Sequence, residues 1–238
     1  MKPTAVASIV LVLAACATAQ PVSNERIAEI LASPERSAAD RTNDNRRKPA
    51  LLLAFIGARP GMVALDVSSG GGYTTELIAR LVGPGGRVYA QSPKPSPRLL
   101  ERVKTPAAAN VIVVARKFDD PVPAEIASGS LDLVTLMFNY HDFGHMGVDR
   151  AQMNRAVFAA LKPGGLFVVA DHSGRAGTGI SESNTLHRIE EAFLRKEVEA
   201  AGFRLAEVGN FLRNPADPRD QNAPAYPKDE FVLKFVKP

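Results

Sequence analysis

The sequence predicts an α/β fold built on one mostly parallel sheet of seven strands with an antiparallel terminal strand. Three observations lead to this class. Short apolar runs alternate with segments of helical periodicity between residues 63 and 170, which is typical of βαβ units. The last two predicted strands follow each other without a helix, which indicates an antiparallel pair. The chain's 238 residues, 45% of them hydrophobic and 23% charged, suffice for one domain with a buried core.

Composition also excludes several classes of protein. The formal net charge of +4 comes from scattered residues, so we expect no specific nucleic-acid partner. No apolar run reaches the ~18 residues that span a membrane as a helix. Cys16 is the only cysteine, which rules out an intramolecular disulfide and a cysteine-based metal cluster. The oligomeric state is not predicted.

The first 19 residues have the pattern of an export signal. Lys2 precedes the apolar run from Ala5 to Ala15, as in a secretory signal. The run ends in Leu13-Ala14-Ala15-Cys16, which resembles a bacterial lipobox and implies lipidation of Cys16. We therefore predict a periplasmic lipoprotein anchored to the membrane through an N-terminal lipid. Ordinary cleavage after Ala19 and an uncleaved N-terminal anchor are the alternatives, and both also imply export.

A helical segment is predicted over residues 20–56. Residues 23–32 place three apolar side chains on one helix face. The polar residues 35–45 form a helix or a loop. A short apolar helix begins at Pro49 and ends before Gly57, since proline favours helix starts and glycine favours helix ends.

Residues 57–238 form the predicted α/β domain. Its strands are predicted at Val63–Val67, Arg87–Ala90, Val111–Val114, Leu131–Phe138, Leu166–Ala170, Phe203–Phe211 and Phe231–Val236. Its helices are predicted at Tyr73–Leu81, Pro97–Lys104, Arg150–Leu161 and Ser183–Ala200. A proline-rich loop, Asn214–Lys228, joins the last two strands.

A glycine-rich turn follows the first strand, at the edge of the sheet where α/β proteins bind ligands. Glycines there allow the backbone to approach a ligand, and the next helix presents free N–H groups. Asp66-x-Ser68-x-Gly70-x-Gly72 resembles the first motif of class I S-adenosylmethionine-dependent methyltransferases. Lys162-Pro163-Gly164-Gly165 resembles the turn before their fifth strand. A bacterial group of exported, predicted methyltransferases of unknown substrate is similar to the chain at Arg47-Lys48-Pro49, Asn139-Tyr140-His141-Asp142, Asp171-His172-Ser173 and residues 213–219.

This resemblance implies a Rossmann-like class I methyltransferase fold, S-adenosyl-L-methionine as cofactor and a small-molecule methyl acceptor that the sequence does not identify. It also implies cofactor contacts, which are expected from the first-motif residues Asp66, Ser68, Gly70 and Gly72, together with Gln91, Asp119, Asp120 and Asn139. Gln91 stands where the family commonly has an acid that binds the ribose. Arg41, Asp44 and Arg47 form either a lid over the cofactor or a solvated helix face.

Histidine and aspartate pairs follow the fourth and fifth strands. His141 and Asp142 follow one, and Asp171 and His172 end the other, so the side chains are expected to converge. We assign catalysis to His141, Asp142 and His172, with a neutral His141 as general base. His187 is assigned to surface or packing.

Two other functional classes remain open. One is a lipoprotein that retains the fold to bind a small molecule or a partner without catalysis. The other is a metal hydrolase whose ion would be held by His141, His145 and His172; in the preferred assignment the site holds no metal.

Overall fold

The computed structural model describes residues 22–238. The predicted signal segment and Cys16 therefore lie outside the described residues. Between residues 22 and 238, no helix is long and apolar enough to cross a membrane.

Three helices precede the sheet: α1 (Asn24–Ala32), α2 (Ala38–Arg47) and α3 (Pro49–Ile56). The side chains of Ser23 and Ser37 accept hydrogen bonds from the first turns of α1 and α2, which satisfies backbone donors there. The polar segment predicted as helix or loop is thus a capped helix. Lys48 then adopts a left-handed conformation with φ of 43°, and this turn places α3 directly after α2.

The sheet has seven strands, and β7 is antiparallel to both of its neighbours. The strands are β1 (Val63–Val67), β2 (Arg87–Gln91), β3 (Val111–Val114), β4 (Leu131–Met137), β5 (Leu161–His172), β6 (Arg204–Gly209) and β7 (Glu230–Val236). Their order in space is β3-β2-β1-β4-β5-β7-β6. The first five strands are parallel, and β7 lies between β5 and β6. The predicted fold class is confirmed.

Helices cover both faces of the sheet and divide the core in two. The remaining helices are α4 (Tyr73–Val82), α5 (Pro97–Arg102), α6 (Asp142–His145), α7 (Arg150–Ala160) and α8 (Glu191–Ala200). Apolar residues of α1, α3 and α4 form one buried cluster, and those of α7 and α8 form the other. The carboxyl ends of β4 and β5 lie side by side and carry polar residues, among them Asn139 after β4 and His172 at the end of β5.

The helix predicted over Ser183–Ala200 begins only at Glu191. His187 has a φ of 50°, which is incompatible with a right-handed helix. The Arg188 side chain is fully buried and donates to Asp217 in the proline-rich loop. A tertiary contact therefore overrides the local helical periodicity over residues 183–190.

Candidate active site

A cavity of about 270 Å³ lies at the carboxyl edge of the sheet. Its wall consists of the glycine turn after β1, the ends of β4 and β5, and the last residues of α2. The predicted site residues on this wall are Asp66, Ser68, Gly70, Asn139 and His172. The topology thus brings the glycine turn and two of the predicted polar strand ends together.

The glycine turn depends on left-handed backbone at three positions. Ser68, Gly70 and Gly72 have φ values of 57°, 55° and 78°. A Cβ atom at Gly72 would lie 2.8 Å from Leu99 Cδ1 of α5, which is closer than real Cβ contacts. Gly72 is therefore required for the packing of α5 against the turn. Gly72 does not line the cavity, although the sequence predicted that it contacts the cofactor.

Asp66 is a buried carboxylate below the turn. Its two oxygens accept hydrogen bonds from the hydroxyls of Thr75 and Thr135, at 2.6 and 2.7 Å. Burial raises the pKa of Asp66 to about 6 despite these bonds, because the charged form loses its hydration. The Asp66 side chain therefore connects the end of β1 to α4 and β4 through these hydrogen bonds. It is also a titratable group in the cavity wall.

Gln91 does not occupy the position of a free ribose-binding side chain. It is fully buried, and its Oε1 accepts the Ser68 backbone N–H at 3.0 Å. Its Nε2 donates to the carbonyls of Arg116 and Lys117 at 2.7 and 3.4 Å. The structure thus contradicts the predicted ribose contact. Both polar ends of this amide join the glycine turn to the loop after β3.

The two predicted adenine-side acids have different surroundings. Asp120 forms an ion pair with Arg116 and is half exposed. Asp119 lines a second hollow of about 420 Å³, together with Pro93, Phe118 and Met146. Of the two acids, only Asp119 therefore borders a space that a ligand could occupy.

Arg47 extends into the first cavity from the end of α2. Its Nε and Nη1 atoms are buried and have no hydrogen-bond partner within residues 22–238. The guanidinium carbon lies 3.9 Å from the ring centroid of Phe138 and 5.8 Å from that of Tyr73. Burial lowers the pKa of Arg47 to about 10, and the side chain remains charged at pH 7.

The other two residues of the expected lid have structural partners. Arg41 donates to the carbonyls of Leu31 and Ser33, and Asp44 accepts from Arg36 and Tyr73. Arg47 alone of the three reaches the cavity. Arg47 stands between Arg46 and Lys48 in the sequence, but no local pattern distinguishes a ligand-facing arginine from a solvated one.

His141 lies between two carboxylates and is almost fully buried. Its Nδ1 is 2.5 Å from Asp171 Oδ1, and its Nε2 is 3.1 Å from Asp142 Oδ1. Burial alone would lower its pKa, but the two carboxylates outweigh this effect and raise the pKa to about 9. The expectation of a neutral His141 is therefore wrong for this arrangement, since the protonated ring cannot accept a proton at pH 7.

His172 has the properties that were expected of His141. It lines the cavity, and burial lowers its pKa, so that the ring is neutral at pH 7. Its Nδ1 lies 3.0 Å from Glu230 Oε1, and Arg46 donates to the same oxygen. The other ring nitrogen, Nε2, remains available as a proton acceptor.

All four histidines of the chain form one continuous group. Ring centroids of His141 lie 5.4 Å from His172 and 5.6 Å from His187, and His187 lies 5.6 Å from His145. His187 Nδ1 is 2.7 Å from Asp142 Oδ1, so this residue belongs to the polar group and not to the bare surface. The spacing of His187 in the sequence gave no sign of this contact.

Comparisons with known proteins agree with this arrangement. Residues 65–169 match the family model of the methyltransferase domain. A protein-L-isoaspartate O-methyltransferase from Triticum aestivum is 33% identical over 113 residues, which are 47% of this chain and 46% of that protein. The chain thus spans about half the length of the curated relatives it matches.

Two solved structures share the fold over most of the chain. A methyltransferase from Aquifex aeolicus has a TM-score of 0.64 and 18% identity, covering 91% of this chain and all of its own. A possible exported protein from Bordetella parapertussis has a TM-score of 0.56 and 14% identity, covering 92% of this chain and 80% of its own.

The strand order, the glycine turn after β1 and the antiparallel β7 define a Rossmann-like α/β protein of the methyltransferase type. Residues 65–169 match the methyltransferase domain family, and the chain has the fold of class I S-adenosylmethionine-dependent methyltransferases.

Proposed function

We propose that the protein transfers a methyl group from S-adenosylmethionine to a small-molecule acceptor. The observation that carries the proposal is the Arg47 guanidinium beside the glycine turn, whose buried Nε and Nη1 atoms have no hydrogen-bond partner within residues 22–238. A buried charge without a partner destabilises a fold, and a ligand carboxylate would satisfy its free Nε and Nη1 atoms.

The two hollows fit the two ends of this cofactor. The cavity beside Arg47 would hold the charged amino-acid end, whose carboxylate matches the guanidinium. The second hollow, which is mostly apolar and includes Asp119, would hold the flat adenine ring, and the carboxylate could accept its amino group. The glycine turn offers backbone near the first cavity without a side chain in the way.

When bound, the cofactor supplies an electrophilic methyl group that leaves its sulfur as the acceptor attacks. The chain contributes mainly alignment of the acceptor with that methyl group, which accounts for much of the rate in such reactions. His172 accepts the proton of a hydroxyl-type acceptor, because it is neutral and lines the cavity. His141 acts behind it, because its ring and backbone N–H contact Asp171 and so hold the segment after β4 to β5.

Calorimetric titration with S-adenosylmethionine and its demethylated product tests the binding step. We expect saturable heat with both ligands. Transfer of a labelled methyl group to components of a bacterial envelope extract then tests catalysis. No heat at millimolar ligand would contradict the proposal, while binding without transfer would favour the non-enzymatic binding protein.

A pair of glycine variants makes the test specific for the turn. Gly70→Val places a branched side chain on a residue with a φ of 55° at the cavity wall, so cofactor binding should be lost. Gly85→Val is the matched control, because no atom lies within 4 Å of its added Cβ and its φ is not in the left-handed region. Equal binding by the two variants would contradict a site at the turn.

We also propose that the protein is exported and anchored through lipid on Cys16. The lipobox-like Leu13-Ala14-Ala15-Cys16 supports this, as does the likeness in fold to the Bordetella protein. One acyl chain gives only marginal membrane binding, so stable anchoring requires several. In a bacterial host, the wild type should appear in the membrane fraction with an acylated N-terminal cysteine, and Cys16→Ser should not. A mature N-terminus at Gln20 would contradict lipidation.

A further inference from the structure

We infer that His141, Asp142 and His187 bind a divalent transition-metal ion beside the proposed cofactor cavity. The inference goes beyond methyl transfer, because it concerns groups that do not line that cavity.

The three side chains present their ligand atoms to one point. Asp142 Oδ1 lies 3.1 Å from His141 Nε2 and 2.7 Å from His187 Nδ1, and all three atoms lie within 4.8 Å of one another. One ion bonded at ~2.0–2.2 Å to each atom needs ligand atoms about 3–4 Å apart. Small side-chain shifts are therefore enough to form the site.

The buried ligand is held in place from behind. Asp171 Oδ1 contacts His141 Nδ1 at 2.5 Å, and Asp171 Oδ2 accepts the His141 backbone N–H at 2.8 Å. Metal-bound histidines almost always have such a carboxylate or carbonyl on the second nitrogen, where it fixes the ring and raises its basicity. The Asp171–His141 pair has this arrangement, with Nε2 directed at Asp142. An ion bound at Nε2 would take the place of the proton on that nitrogen, so that binding releases this proton to solvent.

The opposite side of the cluster is open. The His187 side chain is 37% exposed and that of Asp142 is 22% exposed, whereas His141 is 3% exposed. Three protein ligands with one open side are typical of ions that also bind water or a substrate. The other oxygen of Asp142 accepts from Asn139 at 3.2 Å, and Asn139 lines the cofactor cavity. An ion here would thus adjoin the proposed cofactor cavity.

The donor set indicates the class of ion. Two imidazoles and one carboxylate suit Zn²⁺, Fe²⁺ or Co²⁺, whereas Mg²⁺ and Ca²⁺ prefer oxygen ligands. The other two histidines contact other groups more closely: His145 Nδ1 lies 2.9 Å from Ser183 Oγ and 3.9 Å from Asp142 Oδ1, and His172 Nδ1 lies 3.0 Å from Glu230 Oε1. The geometry therefore replaces the set His141, His145 and His172 that the sequence suggested for a metal.

A matched pair of histidine variants tests the site. His187→Asn removes one ligand, and asparagine tolerates the φ of 50° at this position. His145→Asn makes the same change in a neighbouring histidine outside the ligand set. Untagged, chelator-treated protein is titrated with Zn²⁺ against a chromogenic chelator, and Co²⁺ is followed by its visible absorption.

We expect stoichiometric Zn²⁺ binding by the wild type, at least about tenfold weaker binding by His187→Asn, and no more than about threefold change in His145→Asn. Asp142→Asn should weaken binding as His187→Asn does, which keeps the test valid if one variant fails to fold. Affinity for S-adenosylhomocysteine should remain unchanged in His187→Asn. Absence of Zn²⁺ binding by the wild type, equal loss in His187→Asn and His145→Asn, or displacement by millimolar Mg²⁺ would each overturn the inference.

Discussion

Arg188 and Arg47 both have buried guanidinium atoms, but they lie in different regions of the molecule and their surroundings are opposite. Arg188, under the proline-rich loop, donates to Asp217 at 2.8 Å and to the carbonyls of Ser173 and Gln221 at 3.0 and 3.1 Å. Arg47, at the glycine turn, leaves buried Nε and Nη1 without a hydrogen-bond partner in the described chain. Arg188 is hydrogen-bonded within the fold, whereas Arg47 packs on the rings of Phe138 and Tyr73 and leaves two buried donors without a hydrogen bond in the described chain.

The nearby carboxylates show the same contrast. Burial would raise the pKa of Asp217, but two backbone N–H groups and Arg188 outweigh it and lower the pKa. At the glycine turn, burial prevails and raises the pKa of Asp66 to about 6. The loop region is thus built for stability, whereas the turn region keeps electrostatic strain that a bound ligand could relieve.

The largest expected effect comes from removing the satisfied arginine. Arg188→Met leaves Asp217 buried without its charged partner and should lower the free energy of unfolding by about 3–5 kcal/mol. Arg195→Met is the control, since the half-exposed Arg195–Glu199 pair contributes less than about 1 kcal/mol. Urea unfolding measures both. A similar loss of unfolding free energy in the two variants would show that the contact between Arg188 and the proline-rich loop does not stabilise the fold.

A pH titration of stability examines the other region. The pKa of Asp66 is higher in the folded state, about 6, than in the unfolded chain, so its protonated form favours folding. This contribution is complete below about pH 4 and is lost as the pH rises through 6. The free energy of unfolding of Asp66→Asn, relative to the wild type, should therefore rise by up to roughly 3 kcal/mol between pH 4 and 7. A difference that is independent of pH would contradict the raised pKa.

A smaller effect is expected at Gln91. Gln91→Glu restores the acid that the family commonly has there, but its oxygen would face the carbonyls of Arg116 and Lys117. We expect a loss of about 1–3 kcal/mol in unfolding free energy, because those carbonyls lose their donor, and no gain in cofactor affinity. Gln91→Met is the control, because it removes the amide without adding a charge that would repel the carbonyls of Arg116 and Lys117. Tighter cofactor binding by Gln91→Glu would instead support a ribose contact.

Most of the fold could be predicted from the sequence. Apolar strand patterns and the glycine turn depend on neighbouring residues, so a local pattern contains them. The segment Lys162–Gly165, predicted as a turn before the fifth strand, instead lies within β5, which begins at Leu161. The helix predicted from Ser183 failed at its start, because Arg188 is held by Asp217 some 29 residues away, and no local pattern records this contact.

The candidate site could be predicted only in part. The sequence indicated that His141, Asp142, Asp171 and His172 lie close together, as the structure has them. This could be predicted because the sheet topology alone places the ends of β4 and β5 side by side. The protonation state of His141 could not be predicted, because its pKa depends on contacts with two carboxylates at 2.5 and 3.1 Å. The hydrogen bonds of Gln91 Oε1 and Nε2 could not be predicted either, because their partners lie in two loops that come together only in the folded chain.

Titration of S-adenosylhomocysteine into Arg47→Met tests most directly whether the unsatisfied arginine is a ligand site. Arg41→Met is the matched control, because Arg41 lies on the same helix and contacts only backbone carbonyls of α1 and its end. We predict about 10–100-fold weaker binding by Arg47→Met, from the loss of charged hydrogen bonds, and unchanged binding by Arg41→Met. Wild-type affinity in Arg47→Met would contradict the account, because the buried guanidinium would then have no role in ligand binding.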